Sequence, residues 1–208
     1  FVVVKADQVN AKPKSLDHDK AAAVPLAGLT AWQGLFEFGD LKEGQKILIH
    51  AAAGGVGTFA VQFAKWKGAY IIGTASEENI DFLFDLGADE AIDYKTEKFE
   101  ERVKDVDLVF DLIGGDTQKR SLQVIKKGGK LVTTVKPENP ECAKKRDVEV
   151  IGFFTRSLPA DLQQIADLID SGKIRPIVTK ILDLRDAAEA QRQIESHHTR
   201  GKIVLKVI

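Results

Sequence analysis

The feature that most constrains the fold is a regular alternation of short β-rich runs with helical patterns from Lys46 onward. Such alternation is typical of a parallel sheet whose strands are joined by crossover helices. Several runs are apolar nearly throughout, as expected of strands that are covered on both faces. Six strands, the number of a complete dinucleotide-binding sheet, are predicted at 46–52, 70–76, 90–94, 106–113, 129–135 and 149–154. The sequence therefore predicts an α/β fold, a doubly wound parallel sheet of the Rossmann type.

Helical periodicity is clearest after the first strand and in the C-terminal quarter of the chain. One apolar face recurs at i, i+3, i+4, i+7 and i+8 and is made by Val56, Phe59, Ala60, Phe63 and Ala64. A second helix is predicted from Leu162, Ile165, Ala166 and Ile169. Another helix near 185–195 and a final strand at 202–208 complete the pattern, and the proline-containing segment 136–147 is the most loop-like.

The stretch "HAAAGGVG" (50–57) lies between the first predicted strand and the first predicted helix. Ala52, Gly54 and Gly57 occupy the G-x-G-x-x-G positions of a dinucleotide-binding turn, with alanine in the first. Gly54 would let the backbone approach a diphosphate, Gly57 would let the helix pack on the strand, and the helix N-terminus offers free N–H groups. The alternative is a tight turn that needs small residues only for packing. The six predicted strands around this turn favour a cofactor-binding role instead, because they are the number of a complete dinucleotide-binding sheet. The predicted cofactor-binding residues of this turn are Ala53, Gly54, Gly55, Val56 and Gly57.

The residues that follow the second strand bear on the choice between NAD(H) and NADP(H). In NAD-binding turns an acidic side chain about 20 residues beyond the glycines binds the ribose 2′-hydroxyl, but Ala75 stands there. The hydroxyl of Ser76 and the amide of Asn79 follow, and the missing acid favours NADP(H). The same residues also suit an N-cap, with Asn79 at N3, and both roles are compatible. Glu77 and Glu78 suit a first helical turn, yet they would weaken the attraction for a phosphate.

Composition excludes several other classes of function. Thirty basic residues against thirty-one acidic ones, with no basic block, argue against a nucleic-acid partner. Cys142 is the single cysteine, which excludes an internal disulfide and favours a reducing cytoplasm. No apolar run approaches the ~20 residues of a membrane span, and the first residues lack a signal-peptide pattern. We expect a cytoplasmic protein without a membrane partner. Because the sequence contains no Met, a further N-terminal region is expected before Phe1.

An ordered series of motifs resembles the medium-chain dehydrogenase/reductase superfamily, in particular its zinc-independent quinone oxidoreductases and enone or enoyl reductases. The motifs are "AAAVPLAGLTAWQGL" (21–35), "LKEGQKILIHAAAGGVGTFAVQFAK" (41–65), "GTAS" (73–76), "LGADEAIDY" (86–94), "VFDLIGGDT" (109–117), "KKGGKLV" (126–132), "GKIRPIV" (172–178) and "TRGKIVL" (199–205). The resemblance implies a GroES-like catalytic domain around the cofactor domain, and a homodimer. The implied domains are 1–24, the last part of the catalytic domain, 25–156, the NADP-binding Rossmann domain, and 157–208, a return to the catalytic domain.

The resemblance also implies where individual residues lie relative to the cofactor. The implied positions are Thr30, Phe153 and Phe154 near the nicotinamide, Ser76 and Tyr94 near the 2′-phosphate, Ile113 and Gly114 beside a ribose, and Lys202 near the diphosphate. Each has an ordinary structural alternative, which stays open. Phenylalanines in a strand are more often core, Thr30 could be a plain helix residue, and Lys202 could be a solvated charge.

Zinc alcohol dehydrogenases of the same superfamily bind their catalytic metal with a cysteine four residues before this threonine, and here that residue is Leu26. Cys142 forms no metal-ligand pattern with the histidines, which are His18, His50, His197 and His198. We therefore expect no metal. Without a Lewis acid to polarise a carbonyl, hydride transfer to a quinone or enone is favoured, because the acceptor's own π-system spreads the negative charge.

These inferences predict an NADPH-dependent reductase of quinones or α,β-unsaturated carbonyls in which the cofactor carries the chemistry. The residues of this chain would hold the cofactor. The general acid and most of the substrate pocket are expected in the N-terminal region, so no catalytic residue is assigned. The alternatives are a non-catalytic NADPH-binding protein, such as a redox sensor or RNA-binding relative, and a zinc alcohol dehydrogenase, which Leu26 disfavours.

Overall fold

A computed structural model describes residues 3–138, 140–196 and 198–207. Its strands are β1 (Lys46–Ile49), β2 (Tyr70–Ala75), β3 (Glu90–Asp93), β4 (Val106–Asp111), β5 (Ile125–Thr133), β6 (Glu149–Gly152), β7 (Val178–Asp183) and β8 (Lys202–Lys206). Its α-helices are α1 (His18–Ala22), α2 (Pro25–Trp32), α3 (Gly57–Lys67), α4 (Ile80–Leu86), α5 (Phe99–Arg102), α6 (Gly115–Ser121), α7 (Pro140–Lys145), α8 (Pro159–Asp170) and α9 (Ala187–Glu195). A π-helical segment, Gln33–Phe38, continues α2, and short 3-10 turns lie at Ala6–Gln8, Glu77–Asn79 and Leu184–Asp186.

Strands β1 to β6 form one parallel sheet in the order β3-β2-β1-β4-β5-β6. At the centre Ile49 pairs with Gly73 of β2 and with Phe110 of β4. The predicted doubly wound sheet is therefore confirmed, with all six strands at the expected places. Each strand ends one to three residues before its predicted end, and β5 begins at Ile125, four residues before its predicted start. The residues that follow β1 to β4 turn to line a cleft at the carboxyl edge of the sheet.

Helix α3 confirms the apolar face predicted for it. Phe59, Ala60, Phe63 and Ala64 are fully buried in the cluster that covers one side of the sheet. The helix ends at Lys67 and is followed by Gly68, whose φ of 81° provides the left-handed cap that glycine accepts without strain. Burial of this face anchors the helix, so its N-terminus stays fixed against the carboxyl end of β1.

The predicted face of α8 is confirmed as well. Ile165, Ala166 and Ile169 are buried, and Leu162 is half-buried against the same cluster. Helix α8 packs on α2 at Gly28, where an added Cβ would be only 3.6 Å from the side chain of Ile165. This contact holds the residues after Arg156 against the sheet.

The segment 136–147, expected to be the most loop-like, instead contains helix α7. The helix begins at Pro140, which is compatible with a first helical turn because proline lacks only an N–H that would be unpaired there. Ala143 is buried against the second apolar cluster of the sheet. The loop prediction is therefore wrong for 140–145, and Asn139 lies outside the described residues.

Strands β7 and β8 pair in parallel in a separate two-stranded sheet. Gly201, directly before β8, forms an isolated β-bridge with Gly54 of the glycine-rich turn. The final predicted strand is confirmed up to Lys206, and the predicted helix near 185–195 is confirmed as α9. None of the helices in the part of the chain that the structure describes combines the length and apolar character needed to cross a bilayer.

Candidate cofactor site

The order of the sheet reverses between β1 and β4, and ligands of such sheets bind at the carboxyl ends of the strands at this point. A cleft of about 360 Å³ lies there. The predicted residues that line it are Ala53, Gly54, Ser76, Asn79, Tyr94 and Ile113. The fold thus brings together residues from four separate turns. The other predicted residues adjoin this cleft or lie apart from it, as described below.

Gly57 and Gly54 have different neighbours. A Cβ added to Gly57 would lie 2.3 Å from the carbonyl oxygen of Ala51 and 2.7 Å from backbone atoms of Ala52. The predicted role of Gly57, close packing of helix on strand, is therefore confirmed. A Cβ on Gly54 would be 3.3 Å from the oxygen of Ala51, its single near neighbour, and Gly54 lines the cleft. The backbone at Gly54 is thus open to an approaching ligand.

The tightest backbone of this turn lies one residue earlier than the motif suggests. Ala51, rather than Ala52, has a left-handed φ of 50°. For alanine that conformation costs about 1 kcal/mol. Ala52 is fully buried and donates its N–H to the carbonyl oxygen of Thr74 at 3.0 Å. The first position of the motif therefore fastens β1 to β2, and the turn itself is made at Ala51.

The C-terminal segment closes the glycine-rich turn from the other side. The N–H of Gly201 donates to Ala53 O at 2.9 Å. A Cβ on Gly55 would lie 2.6 Å from Cδ of Lys202 and 3.6 Å from its Nζ. Lys202 therefore extends along the turn, with its ammonium group beside Gly55. Val56 caps the start of α3, next to the same backbone.

Ser76 and Asn79 lie at the carboxyl end of β2 and are both buried. The Ser76 hydroxyl donates to the Glu78 carboxylate at 2.9 Å and accepts from Asn79 Nδ2 at 3.0 Å. Ser76 precedes the 3-10 turn Glu77–Asn79, but its side chain accepts no backbone N–H. Ser76 therefore occupies the predicted N-cap position, with Asn79 third in the turn, but its hydroxyl bonds to side chains instead of capping a backbone N–H.

Arg200 is a cation at this end of the cleft that the sequence reasoning missed. Its Nε donates to Asn79 Oδ1 at 2.6 Å, and its Nη2 donates to the backbone oxygen of Glu78 at 2.9 Å. The guanidinium also lies 4.8 Å from the ring centre of Phe82. A guanidinium beside Ser76 is well suited to bind a phosphate. The available signal was the proximity of Arg200 to Lys202 in "TRGK".

Tyr94 directly follows β3 and lines the same cleft as Ser76, with 52% of its surface exposed. Its N–H donates to the oxygen of Ala75 at 3.1 Å, which fixes the backbone beside β2. Asp93, the preceding residue, has a pKa below its usual value because the Thr96 hydroxyl and the Lys95 N–H donate to it. Because the Tyr94 side chain is half-exposed in the cleft, its ring is available to contact a ligand.

His50 is a second residue that the sequence reasoning missed, since it was considered only as a metal ligand. It follows β1 directly, lines the cleft and is 1% exposed. Ser121 donates its hydroxyl to the oxygen of Thr117, so His50 Nε2–H donates to Ser121 at 2.9 Å and Nδ1 accepts from Thr74 at 3.1 Å. Burial lowers the pKa of His50 to about 4. The imidazole is therefore neutral at pH 7.

Ile113 and Gly114 are held by the carboxylate of Asp111, at the end of β4. Asp111 is fully buried, and its Oδ1 accepts the N–H of Ile113 at 3.0 Å and of Gly114 at 2.9 Å. Its Oδ2 accepts from Gln118 at 2.8 Å and from Thr133 at 3.0 Å. Gly114 has a φ of 80°, which favours glycine. The turn beside the cleft is therefore rigid.

Thr30 and the two phenylalanines lie outside the lining of this cleft, around the carboxyl end of β6. Thr30 is buried and donates to the oxygen of Leu26 at 2.7 Å, so it accepts from the hydroxyl of Thr155, also at 2.7 Å. Phe153 is buried and stacks on Phe38 with ring centres 4.7 Å apart. Phe154 is 93% exposed. The Phe153 ring thus belongs to the core, and the Phe154 ring is available to a ligand.

Gln33 fixes the backbone just beyond Phe154. It is fully buried at the start of the π-helical segment. Its Nε2 donates to the oxygen of Arg156 at 2.9 Å and to Asp161 at 3.0 Å, and its Oε1 accepts the N–H of Arg156 at 3.0 Å. Such π-helical segments often occur at functional sites. The Gln33 amide therefore connects α2 to the end of β6.

Leu26, at the position of the family's cysteine ligand, is 69% exposed. Among the described residues no group of three or more His, Cys, Asp or Glu side chains could hold a metal ion. His197 lies outside those residues, and the absence of a metal stays a prediction.

Comparison with known proteins identifies the family. The model of the family described as "Zinc-binding dehydrogenase" matches residues 86–205. The mitochondrial NAD(P)H oxidoreductase RTN4IP1 of Danio rerio is 34% identical to the chain, which is matched over its whole length and spans 62% of that relative.

Two solved structures are similar as well. The quinone oxidoreductase of Coxiella burnetii has a TM-score of 0.90 at 37% identity, over 95% of this chain and 63% of that one. The quinone oxidoreductase of Escherichia coli complexed with NADPH has a TM-score of 0.88 at 31% identity, over 97% of this chain and 69% of that one. The sheet order, the glycine-rich turn and these matches together show that the chain belongs to the medium-chain dehydrogenase/reductase superfamily, among the relatives of the quinone oxidoreductases.

Proposed function

We propose that the chain is the NADP(H)-binding part of an oxidoreductase that transfers hydride to quinones or α,β-unsaturated carbonyls without zinc. The observation that carries the proposal is the convergence of the glycine-rich turn, Ser76 and Ile113 on one cleft at the reversal of the sheet. Arg200 lies next to this lining, because it donates a hydrogen bond to Asn79. The similar Escherichia coli enzyme is a quinone oxidoreductase complexed with NADPH, which supports both the cofactor and the acceptor class.

The residues present fit such a cofactor. The backbone at Gly54 is open to a diphosphate, and the first turn of α3 and the Lys202 ammonium supply positive charge beside it. Ser76, Asn79, Tyr94 and Arg200 would hold the 2′-phosphate, and Ile113 with Gly114 would contact a ribose. Thr30 and the exposed Phe154 would flank the nicotinamide. When bound, the cofactor supplies the hydride, and this chain holds and orients it.

The proposed class of hydride acceptor follows from the inability of Leu26 to bind a metal. A leucine side chain cannot ligate zinc, so the acceptor itself must take up the developing negative charge, as a conjugated carbonyl or quinone can. The proton donor and most of the acceptor pocket are proposed to lie outside these residues. The division at 24/25 and 156/157, a homodimer and a cytoplasmic location also remain proposals, and the Danio rerio relative is named as mitochondrial.

The proposal is tested with the full-length protein by two measurements. Titration should show NADPH binding at least about ten-fold more tightly than NADH, a difference of about 1.4 kcal/mol. NADPH oxidation should then occur with members of a panel of quinones and enones. Equal affinities would contradict the NADP preference, and binding without turnover would favour a redox sensor. Binding of neither cofactor would overturn the proposal.

A further inference from the structure

We propose that Glu78 is a specificity-determining residue, whose carboxylate holds the hydroxyl of Ser76 and thereby lowers the preference for NADPH over NADH. This inference rests on the proposed function, because it assumes that the ribose end of a nicotinamide cofactor lies beside Ser76. It concerns the degree of the preference and not its direction.

The first step is the hydrogen-bonding capacity of Ser76. A serine hydroxyl has one proton to donate, and here Glu78 accepts it at 2.9 Å. Asn79 Nδ2 already donates to the same oxygen. An ionised 2′-phosphate can only accept hydrogen bonds, so it must take the Ser76 proton away from Glu78. A 2′-hydroxyl can instead donate to the Glu78 carboxylate and accept from Ser76. The carboxylate and the serine hydroxyl then each keep a hydrogen-bond partner.

The second step is charge. Glu77 and Glu78 are exposed, and Asp93 is buried at the end of β3. Arg200 contacts this turn, the charge of Lys95 acts on Asp93, and Arg120 and Glu97 line the same cleft. A 2′-phosphate brings about two negative charges at pH 7. Of the two exposed glutamates, Glu78 is the one bound to the hydroxyl that the phosphate needs. Its charge therefore opposes the phosphate at closest range, and the phosphate must overcome it with Arg200.

The third step is that the backbone of Glu78 is held in place, so the turn that carries this residue cannot move away from Ser76 freely. Arg200 Nη2 donates to its carbonyl oxygen at 2.9 Å, and Arg200 Nε fixes the next residue, Asn79, at 2.6 Å. The Asn79 N–H donates to Ser76 O at 2.8 Å and closes the same turn. The cation that attracts the phosphate thus also fixes the backbone of Glu78 beside Ser76.

The test uses Glu78→Gln, which removes the charge and replaces the carboxylate with a neutral amide oxygen, a weaker acceptor that holds the Ser76 proton less tightly. The matched control is Glu77→Gln, the same change on the neighbouring exposed residue. Both variants and the wild type are titrated with NADPH, NADH, 2′,5′-ADP and 5′-AMP. In Glu78→Gln we expect the affinity ratio of NADPH to NADH to rise about five- to ten-fold, with a matching rise for 2′,5′-ADP over 5′-AMP. The control should change either ratio by no more than about two-fold, because it leaves Ser76 untouched.

The outcomes separate this inference from the proposed function. An unchanged ratio in Glu78→Gln, or an equal rise in both variants, would overturn the role of Glu78 while leaving cofactor binding intact. A wild-type protein that binds none of the four probes would overturn the proposed function itself. The side chain of Glu78 is exposed, so both variants should keep the circular dichroism spectrum and unfolding midpoint of the wild type.

Discussion

The side chain of Lys202 lies across Gly55, so close that a Cβ on residue 55 would be 2.6 Å from Lys202 Cδ. This distance is far shorter than the usual 3.5–4.0 Å of a carbon contact. A side chain at 55 would therefore displace the lysine from the turn. The three glycines of the turn serve three different neighbours: the lysine for Gly55, the strand backbone for Gly57 and the cleft for Gly54.

Gly55→Ala should weaken NADPH binding by displacing Lys202. We expect Lys202→Ala to lower the affinity about ten-fold through loss of a cation beside the diphosphate. Gly55→Ala should lower it by a similar or smaller factor. In the double variant the two losses should not add, because both act through the same ammonium group. Titration of the four proteins with NADPH provides the measurement, and fully additive losses would contradict the relationship.

Gly57→Ala should destabilise the fold far more than Gly54→Ala. At 57 the new Cβ meets the backbone at 2.3 Å, which cannot move cheaply, and the free energy of unfolding should fall by about 3 kcal/mol. At 54 the nearest atom is 3.3 Å away, and the loss should be under about 1 kcal/mol, with weaker NADPH binding. Urea unfolding compares the two variants. Equal destabilisation would show that Gly54 serves packing as well.

Gln33→Leu should weaken binding of NADPH more than binding of 2′,5′-ADP. The change frees the Arg156 backbone beyond Phe154, and only NADPH reaches the nicotinamide end. It should also cost about 2 kcal/mol of stability, because buried polar groups lose their partners.

Gln62 provides a matched control for Gln33. It is also buried, and its amide pairs with the backbone N–H and carbonyl oxygen of Arg175 at 2.9 and 3.0 Å. Gln62→Leu should cost similar stability without changing the ratio of the two affinities. If Gln33→Leu and Gln62→Leu both weaken binding of NADPH and of 2′,5′-ADP by the same factor, Gln33 has only a structural role.

The sequence predicted what is encoded locally. The apolar runs that became β1 to β6 and the faces of α3 and α8 can be read from neighbouring residues, because periodicity is a local property. The 140–145 helix was missed because the two prolines of the segment 136–147 suggest a loop, although one of them, Pro140, begins the helix.

The site was predicted where motifs mark strand ends and was missed where distant segments meet. Arg200 contacts Asn79 across 121 positions of sequence, and Gln33 contacts Arg156 across 123. No local pattern contains such a pairing. Ser76 has the expected N-cap position, but its hydroxyl bonds to Glu78 instead of the backbone, since the partner of a hydroxyl depends on which side chains lie nearby.

His50 should make stability fall with acidification. Its pKa is about 4 in the folded state because burial disfavours the imidazolium; the charge of Asp111 opposes this effect, and Arg120 adds to it. Above pH 6.5 the imidazole is neutral in both states, and below it the unfolded chain takes up a proton first. Stability is therefore lost between pH 6.5 and about 4, with about 2 kcal/mol lost from pH 7 to 5.

Urea unfolding at pH 7 and pH 5 tests this expectation. His50→Asn should be less stable at pH 7 but should lose less on acidification, while His18→Asn, a change at an exposed histidine, should retain the wild-type dependence. A wild-type protein equally stable at both pH values would contradict the neutral, buried state of His50.

The full-length protein should contain no stoichiometric zinc. Leu26 offers no ligand atom, and catalytic zinc needs three protein ligands. Chelator treatment should accordingly leave NADPH-dependent reduction of a quinone or enone unchanged. Elemental analysis is the measurement, and about one zinc per chain, with activity lost on chelation, would contradict both the metal-free mechanism and the choice of acceptor.

The bridge between Gly54 and Gly201 has a consequence for biosynthesis. The two glycines are about 150 residues apart, which corresponds to roughly 7 to 30 s of translation. During that interval the glycine-rich turn has left the ribosome exit without the backbone that pairs with it, and without Arg200 and Lys202. The nascent chain therefore gains the backbone that pairs with the turn and these two cations together, only when the segment around Gly201 docks.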